Sequence, residues 1–320
     1  MSACQQTEVR PAPAQWGGGV LALPDPFRLE SGESLNQAQL AWQCVGPEQA
    51  PLVIVLGGIS AHARCCAADG SGWWEAQCGT GKALDTSRLR LLGTDWLGGA
   101  GASSPASGVT ISSADQARAL LLLINRLGAR RVHLLVGASY GGAVAQQLAA
   151  LLGDRLHRLV LLCTAHRSSQ FAIAFRHLQR ALLELGQDSP TALALARSLA
   201  ILGYVTPEQL ERRFADGGDV VAWLARHGAT FAQHFSANAY RCLGRSLDTH
   251  LIDPAVVNVP TTLFGVTEDL LVPPELLREY AARAPNCTLV ESSSVHGHDA
   301  FLKEHVAVAD VLHTALGGCP

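Results

Sequence analysis

Three short stretches of the chain carry residue types that can break and make an acyl bond. The first is Gly137-Ala138-Ser139-Tyr140-Gly141-Gly142, a serine bracketed by glycines between an apolar run and an Ala-rich segment. A serine hydroxyl is a weak nucleophile until a neighbouring base takes its proton. Candidates for that base, and for the acid that orients it, come much later in the chain. Thr267-Glu268-Asp269-Leu270 offers two carboxylates, of which Asp269 is favoured. Ser294-Val295-His296-Gly297-His298-Asp299 offers two imidazoles, and His298 is favoured because it directly precedes the final helical segment. Together such groups support covalent catalysis. The imidazole takes the serine proton during attack and returns it to the leaving group, while the carboxylate holds the ring in place.

Those groups need a frame, and the flanking sequence supplies one. LVIVL at 52–56, LRLLGTD at 89–95, VHLLVGA at 132–138 and RLVLLC at 158–163 read as short buried strands. Helical segments alternate with them, one opened by a capping pattern at Ser113 to Gln116. The alternation predicts a mostly parallel sheet flanked by helices. It stops near Ala165 and resumes at TLFGV, 262–266. Between them the pattern is helical, with Phe171, Phe175, Leu178, Leu182 and Leu185 recurring at steps of three and four. A serine on a strand-to-helix turn, followed by acid and then histidine on later strand ends, is the α/β-hydrolase arrangement. The expected organisation is a flexible N-terminus at 1–20, a core at 21–164 and 256–320, and an inserted helical lid at 165–255.

The glycines of the elbow have a steric reason: side chains at Gly137 and Gly141 would collide with neighbouring backbone. Opening a helix, the N–H of Tyr140 is placed to donate to an oxyanion, aided by the helix dipole. A second donor is expected from Gly57-Gly58-Ile59-Ser60, with the N–H of Ile59 as the candidate.

Composition narrows the function classes. The 320 residues carry a net charge of -3, with 48% hydrophobic and 16% charged. That balance gives no reason to expect nucleic acid or an anionic membrane as partner. Nine cysteines lie scattered without a CxxC pair or metal-ligand spacing, which suits reduced thiols and no metal. The first residues lack the apolar core of a signal peptide, and no apolar run has the length of a membrane span. A cytoplasmic enzyme is the expectation.

Several ordered blocks between about residues 52 and 305 resemble the homoserine O-acyltransferase family of methionine biosynthesis. Gly72-Trp73-Trp74-Glu75 with Gly81-Lys82-Ala83-Leu84-Asp85-Thr86 is similar to its GWW and GPGKAIDT blocks. Leu97-Gly98-Gly99 with Ser103-Ser104-Pro105 resembles LGG..GSTGP, and the Ser139 elbow resembles GNSMGG. Phe171 through Arg180 resembles AFN..QR, and Tyr204 with Arg213-Phe214 resembles TYRS and RF. Asp269 to Pro273 and Gly297 to Leu302 match D.L.P and GHDAFL.

The resemblance implies a ping-pong transfer of an acyl group from acyl-CoA to an amino-acid hydroxyl. Acyl-CoA is then a co-substrate, and no bound cofactor is implied. It also implies Arg180 at the acceptor carboxylate, Asp299 at its ammonium, and a homodimer through the lid helices. Asp248 matches an acid of the family without a clear role. Departures lie at Ala138, Tyr140 and Asp95-Trp96, and at Arg176, where most members have Asn. Arg176 and Arg180 stand four apart on one helix, so their like charges repel by a few tenths of a kcal/mol. The pair suggests two anions nearby: the acceptor carboxylate and the distal carboxylate of a succinyl donor. Acetyl as donor, serine as acceptor, a lidded esterase and a catalytically silent binding protein remain the alternatives.

Overall fold

The computed structural model describes residues 16–106 and 108–317. Ten strands and ten α-helices lie along it. The strands are β1 (Trp16–Ala22), β2 (Phe27–Arg28), β3 (Ser34–Leu35), β4 (Gln39–Val45), β5 (Leu52–Leu56), β6 (Arg90–Thr94), β7 (Val132–Ala138), β8 (Leu156–Leu162), β9 (Thr261–Val266) and β10 (Cys287–Ser292). Eight of them form one sheet, in the order β1-β4-β6-β5-β7-β8-β9-β10. Every pair from β6 to β10 is parallel, while β1 and β4 join antiparallel at one edge.

Alternation along the strands divides the core. Ile54, Leu56 and Leu135 face one side, packed with α1 (Ser113–Arg126), α2 (Tyr140–Leu152) and Leu277 and Tyr280 from α8 (Pro274–Arg283). Val53, Val55, Leu134 and Val136 face the other, against Trp74 and the last helix, α10 (His305–Leu316), which follows the one-turn α9 (Ala300–Lys303). Strands buried on both faces read as unbroken aliphatic runs, which is why LVIVL and VHLLVGA stand out in the sequence.

Between β8 and β9 the chain leaves the sheet for five helices: α3 (Gln170–Leu185), α4 (Pro190–Tyr204), α5 (Pro207–Phe214), α6 (Val220–His234) and α7 (Ala237–Thr249). Ser169, Ser189, Thr206, Asp219 and Ser236 cap their N-termini, each accepting a backbone N–H three residues on. Leu183, Leu193, Ala196 and Tyr240 give the insertion a small core of its own.

Two expectations need correction. Residues 16–20 are not a flexible end but most of β1, in register from Trp16↔Val45 to Ala22↔Gln39. The strand hides from sequence patterning because glycines and outward side chains leave no apolar alternation; backbone pairing holds it, with Leu21 packed against the core. Residues 1–15 of that expected end lie outside the described residues. The cap of α1 is Ser112 rather than Ser113, with Asp115 as its reciprocal partner. Asp115 wins because its buried carboxylate also takes the N–H of Glu30 and the guanidinium of Arg118.

Candidate active site

Ser139 sits between β7 and α2 with φ 52° and ψ -117°, a backbone conformation that L-residues rarely adopt. The cost is met because the turn has no slack. A Cβ at Gly137 would lie 2.5 Å from the Gly141 carbonyl oxygen, and one at Gly141 would lie 2.3 Å from that of Leu56. So the steric argument for both glycines holds. The strained turn lifts the hydroxyl to 2.8 Å from Nε2 of His298. Nδ1 of the same ring lies 2.7 Å from Oδ2 of Asp269. Oδ1 of Asp269 accepts the backbone N–H groups of Leu271 and Val272, at 2.9 and 3.0 Å, so the carboxylate cannot swing away.

These groups arrive on the C-terminal ends of β7, β9 and β10, side by side in the sheet apart from β8. The competing residues serve elsewhere. Glu268 accepts from the Ser293 hydroxyl and the Ser294 N–H, tying the acid loop to the histidine loop. His296 precedes the turn at Gly297, and its Nδ1 is buried without a partner.

Burial alone would depress the pKa of His298. The Asp269 carboxylate outweighs it, with help from Asp299, and holds the imidazole above its ordinary value. Such a ring is a stronger base for the serine proton. Two backbone N–H groups near Ser139 lack an acceptor among the described residues. The N–H of Tyr140, first residue of α2, has no intrahelical acceptor, and that of Ile59 finds no partner among the described residues. Ile59 and Ser139 line one cleft, roofed by the inserted helices.

Charge in that cleft is arranged differently from the sequence expectation. Arg176 and Arg180 are not two free cations. Asp248, on α7, accepts Nε of Arg176 at 2.6 Å and Nη2 of Arg180 at 2.7 Å. Ser168 holds the other edge of Arg176 at 2.7 Å. Two positive charges therefore face one negative, a surplus of one, and Nη1 of Arg180 is buried without a partner.

A third guanidinium was missed in the sequence. Arg197, on α4, lines the cleft, lies over the rings of Tyr204 and Phe231 at 5.2 and 4.7 Å, and makes no ion pair among the described residues. The one signal is its place on the same helix face as Tyr204, seven residues on. Asp299 lines the same cleft, and desolvation raises the pKa of its half-buried carboxyl, only partly countered by the charges of His298 and Arg197. Asp95, one of the departures from the family pattern, has a structural task. Its carboxylate takes the N–H groups of Ala63 and Ala102, both at 2.7 Å, and pins the loop that follows Ile59.

This geometry is a Ser-His-Asp arrangement on an α/β-hydrolase fold, and a family profile for that fold matches residues 51–304. Closer relatives narrow the class. Homoserine O-succinyltransferase of Xanthomonas campestris pv. campestris is 40% identical, over 93% of this chain and 83% of that one. Homoserine O-acetyltransferase of Thermus thermophilus is 30% identical, over 77% and 72%. The crystal structure of the homoserine O-acetyltransferase from Staphylococcus aureus superposes with a TM-score of 0.85, at 27% identity and 95% and 96% coverage. The chain belongs to the homoserine O-acyltransferase family. Esterase E22 also superposes with a TM-score of 0.85, at 17% identity over 94% of this chain and all of that one, a likeness of fold alone.

Proposed function

We propose that the chain moves an acyl group from acyl-CoA to the hydroxyl of homoserine through an acyl-Ser139 intermediate, with succinyl-CoA as donor. The observation that carries the reading is the unbroken hydrogen-bonded series from Ser139 through His298 to Asp269, set in a cleft that also holds unpaired charge. His298 takes the serine proton as Oγ attacks the thioester carbonyl. The N–H groups of Tyr140 and Ile59 receive the oxyanion. The intermediate collapses, the C–S bond breaks, and His298 protonates the departing thiolate. Homoserine then repeats the sequence: His298 deprotonates its hydroxyl, the oxygen attacks the acyl-serine ester, and Ser139 leaves with the proton.

A simple esterase would share the fold and the triad, but not the need for Arg197 and Asp299. Half-buried ionisable groups without an ion-pair partner favour a ligand that brings the opposite charges. An amino acid brings both. The acceptor carboxylate fits Arg197 and its ammonium fits Asp299. The resemblance implies Arg180 for that carboxylate; Asp248 neutralises part of its charge through Nη2 and leaves Nη1 without a partner. The surplus charge of the Arg176–Arg180–Asp248 group fits the distal carboxylate of a succinyl chain, and the relative that is 40% identical is named for that donor.

Hydrogen bonds to charged groups contribute about 1.5–3 kcal/mol, so succinyl-CoA should exceed acetyl-CoA in kcat/KM by about ten- to a hundredfold. Arg176→Asn should remove most of that margin and change the acetyl rate by less than about threefold. Intact-mass spectrometry after mixing with each donor reads the adduct on Ser139, and its discharge by homoserine or serine names the acceptor. A wild-type preference for acetyl-CoA rejects the donor assignment and leaves the serine chemistry standing.

The homodimer belongs to the same proposal. Phe171, Leu178 and Leu185 on α3 are 50%, 55% and 84% exposed, spaced by seven. Leu195 and Leu202 on α4 repeat the spacing. Residues seven apart share a helix face, and an apolar face of that extent suits a second copy of the chain. Leu178→Glu with Leu185→Glu should halve the mass seen in sedimentation equilibrium. A wild-type chain that sediments as a monomer at micromolar concentration ends the idea. No helix of the described residues is long and apolar enough to cross a membrane, and use of acyl-CoA fits the cytoplasm.

A further inference from the structure

We propose that Trp96 is a positioning residue for the oxyanion site, acting through the peptide unit that carries the Ile59 N–H. Its indole Nε1–H donates to the carbonyl oxygen of Gly58 at 3.0 Å. That carbonyl and the N–H of Ile59 belong to one planar trans peptide, so they point in opposite directions. Fixing the oxygen at one end aims the hydrogen at the other. The same oxygen accepts the backbone N–H of Ala61 at 3.0 Å, so the indole is one of two donors on it and the only one from outside the loop.

Trp96 is itself braced. It is 3% exposed. The backbone N–H and carbonyl of the next residue, Leu97, are both held by the side chain of Gln116, at 3.1 and 2.8 Å. The indole meets the ring of Tyr140 edge-on, with centroids 4.9 Å apart and planes at 73°. Tyr140 supplies the other oxyanion donor from its backbone. Its hydroxyl hooks to Ser246 Oγ on α7 at 2.9 Å, in a position closed to water. One aromatic pair thus stands behind both donors: Trp96 orients the Ile59 peptide, and Tyr140 anchors the first turn of α2. Ser246 lies two residues before Asp248, so the helix that gathers the arginines also holds this brace.

The inference rests on the reading of Tyr140 and Ile59 as oxyanion donors. Trp96→Phe keeps a ring and removes the N–H. Losing one donor costs such sites about 10²–10³ in kcat, and a donor left in place but free to tilt should cost about ten- to a hundredfold. The donor KM should stay within about twofold, because the ground-state carbonyl uses the site little. The inhibition constant of an alkyl boronic acid, which adds to Ser139 as a tetrahedral anion, should rise by the same factor as kcat falls. A purely structural role would not move kcat and boronate affinity together. If Trp96→Phe does not fold, Tyr140→Phe carries the test, with both rings retained and the hook to Ser246 lost; about a three- to tenfold fall in kcat, matched by the boronate, is expected. Unchanged kcat in the folded variant, or a fall in kcat with unchanged boronate affinity, overturns the proposal. Failure of wild-type Ser139 to accept an acyl group would instead overturn the reading of the whole site.

Discussion

Ser139→Ala is expected to lose about 10⁴- to 10⁶-fold in kcat and to form no covalent adduct with either acyl-CoA. The hydroxyl stands 2.8 Å from the imidazole only because the turn at φ 52° forces it there. Alanine fits the same turn, so the variant should fold, keep its cleft and bind donor with little change in KM. What disappears is the two-step route. His298 could still activate a homoserine hydroxyl for direct attack on the thioester, with the oxyanion donors intact, and a residual rate over water of about 10³–10⁴ is normal when one triad member is removed. Steady-state thiol release and intact mass should be read together. Retention of more than about 1% of wild-type kcat would mean that the acyl group need not pass through this serine.

Asp269→Asn is expected to cost about 10⁴-fold in kcat, for a reason that the hydrogen bonds spell out. Oδ1 already accepts two backbone N–H groups, from Leu271 and Val272. An asparagine will keep its carbonyl oxygen there and turn its NH₂ toward Nδ1 of His298. The ring must then carry its proton on Nε2, where it faces the Ser139 hydroxyl as a donor and cannot accept. The pH profile tests the same bond. With the carboxylate present, the His298 pKa lies above the ordinary 6.5. Below that raised value the imidazolium cannot take a proton, so wild-type kcat/KM falls as pH falls, with its acid limb above 6.5. Without the carboxylate, burial dominates and the limb moves to lower pH. A variant within about tenfold of wild type, or an acid limb that stays in place, would show that Asp269 neither orients nor charges the ring.

The triad was legible because each member has local punctuation: a glycine-framed turn for Ser139, a strand end for Asp269, a strand end before a helix for His298. The cleft charges were not. Arg176 and Arg180 could be placed on one helix face from spacing, but the carboxylate between them comes from another helix, and Asp248 has no local signature of its role. Arg197 looked like an ordinary helix cation until the fold put Asp299 in the same cleft. Trp96 is the same case, since its partner Gly58 lies 38 residues earlier. Contacts across the fold, unlike turns and caps, leave no periodic trace.

A chain trimmed to begin at residue 21 would leave most of β4 without its antiparallel neighbour. Its amides and carbonyls would then face water along one whole side of the sheet. Bare strand borders recruit strands from other molecules. Such a protein would still hold Ser139, His298 and Asp269 in place, three or more strands from β4 across the sheet, yet would tend to clump and precipitate. What the glycine-rich stretch contributes is a poorer border: Gly17, Gly18 and Gly19 give an incoming strand fewer side chains to pack against than β4 would.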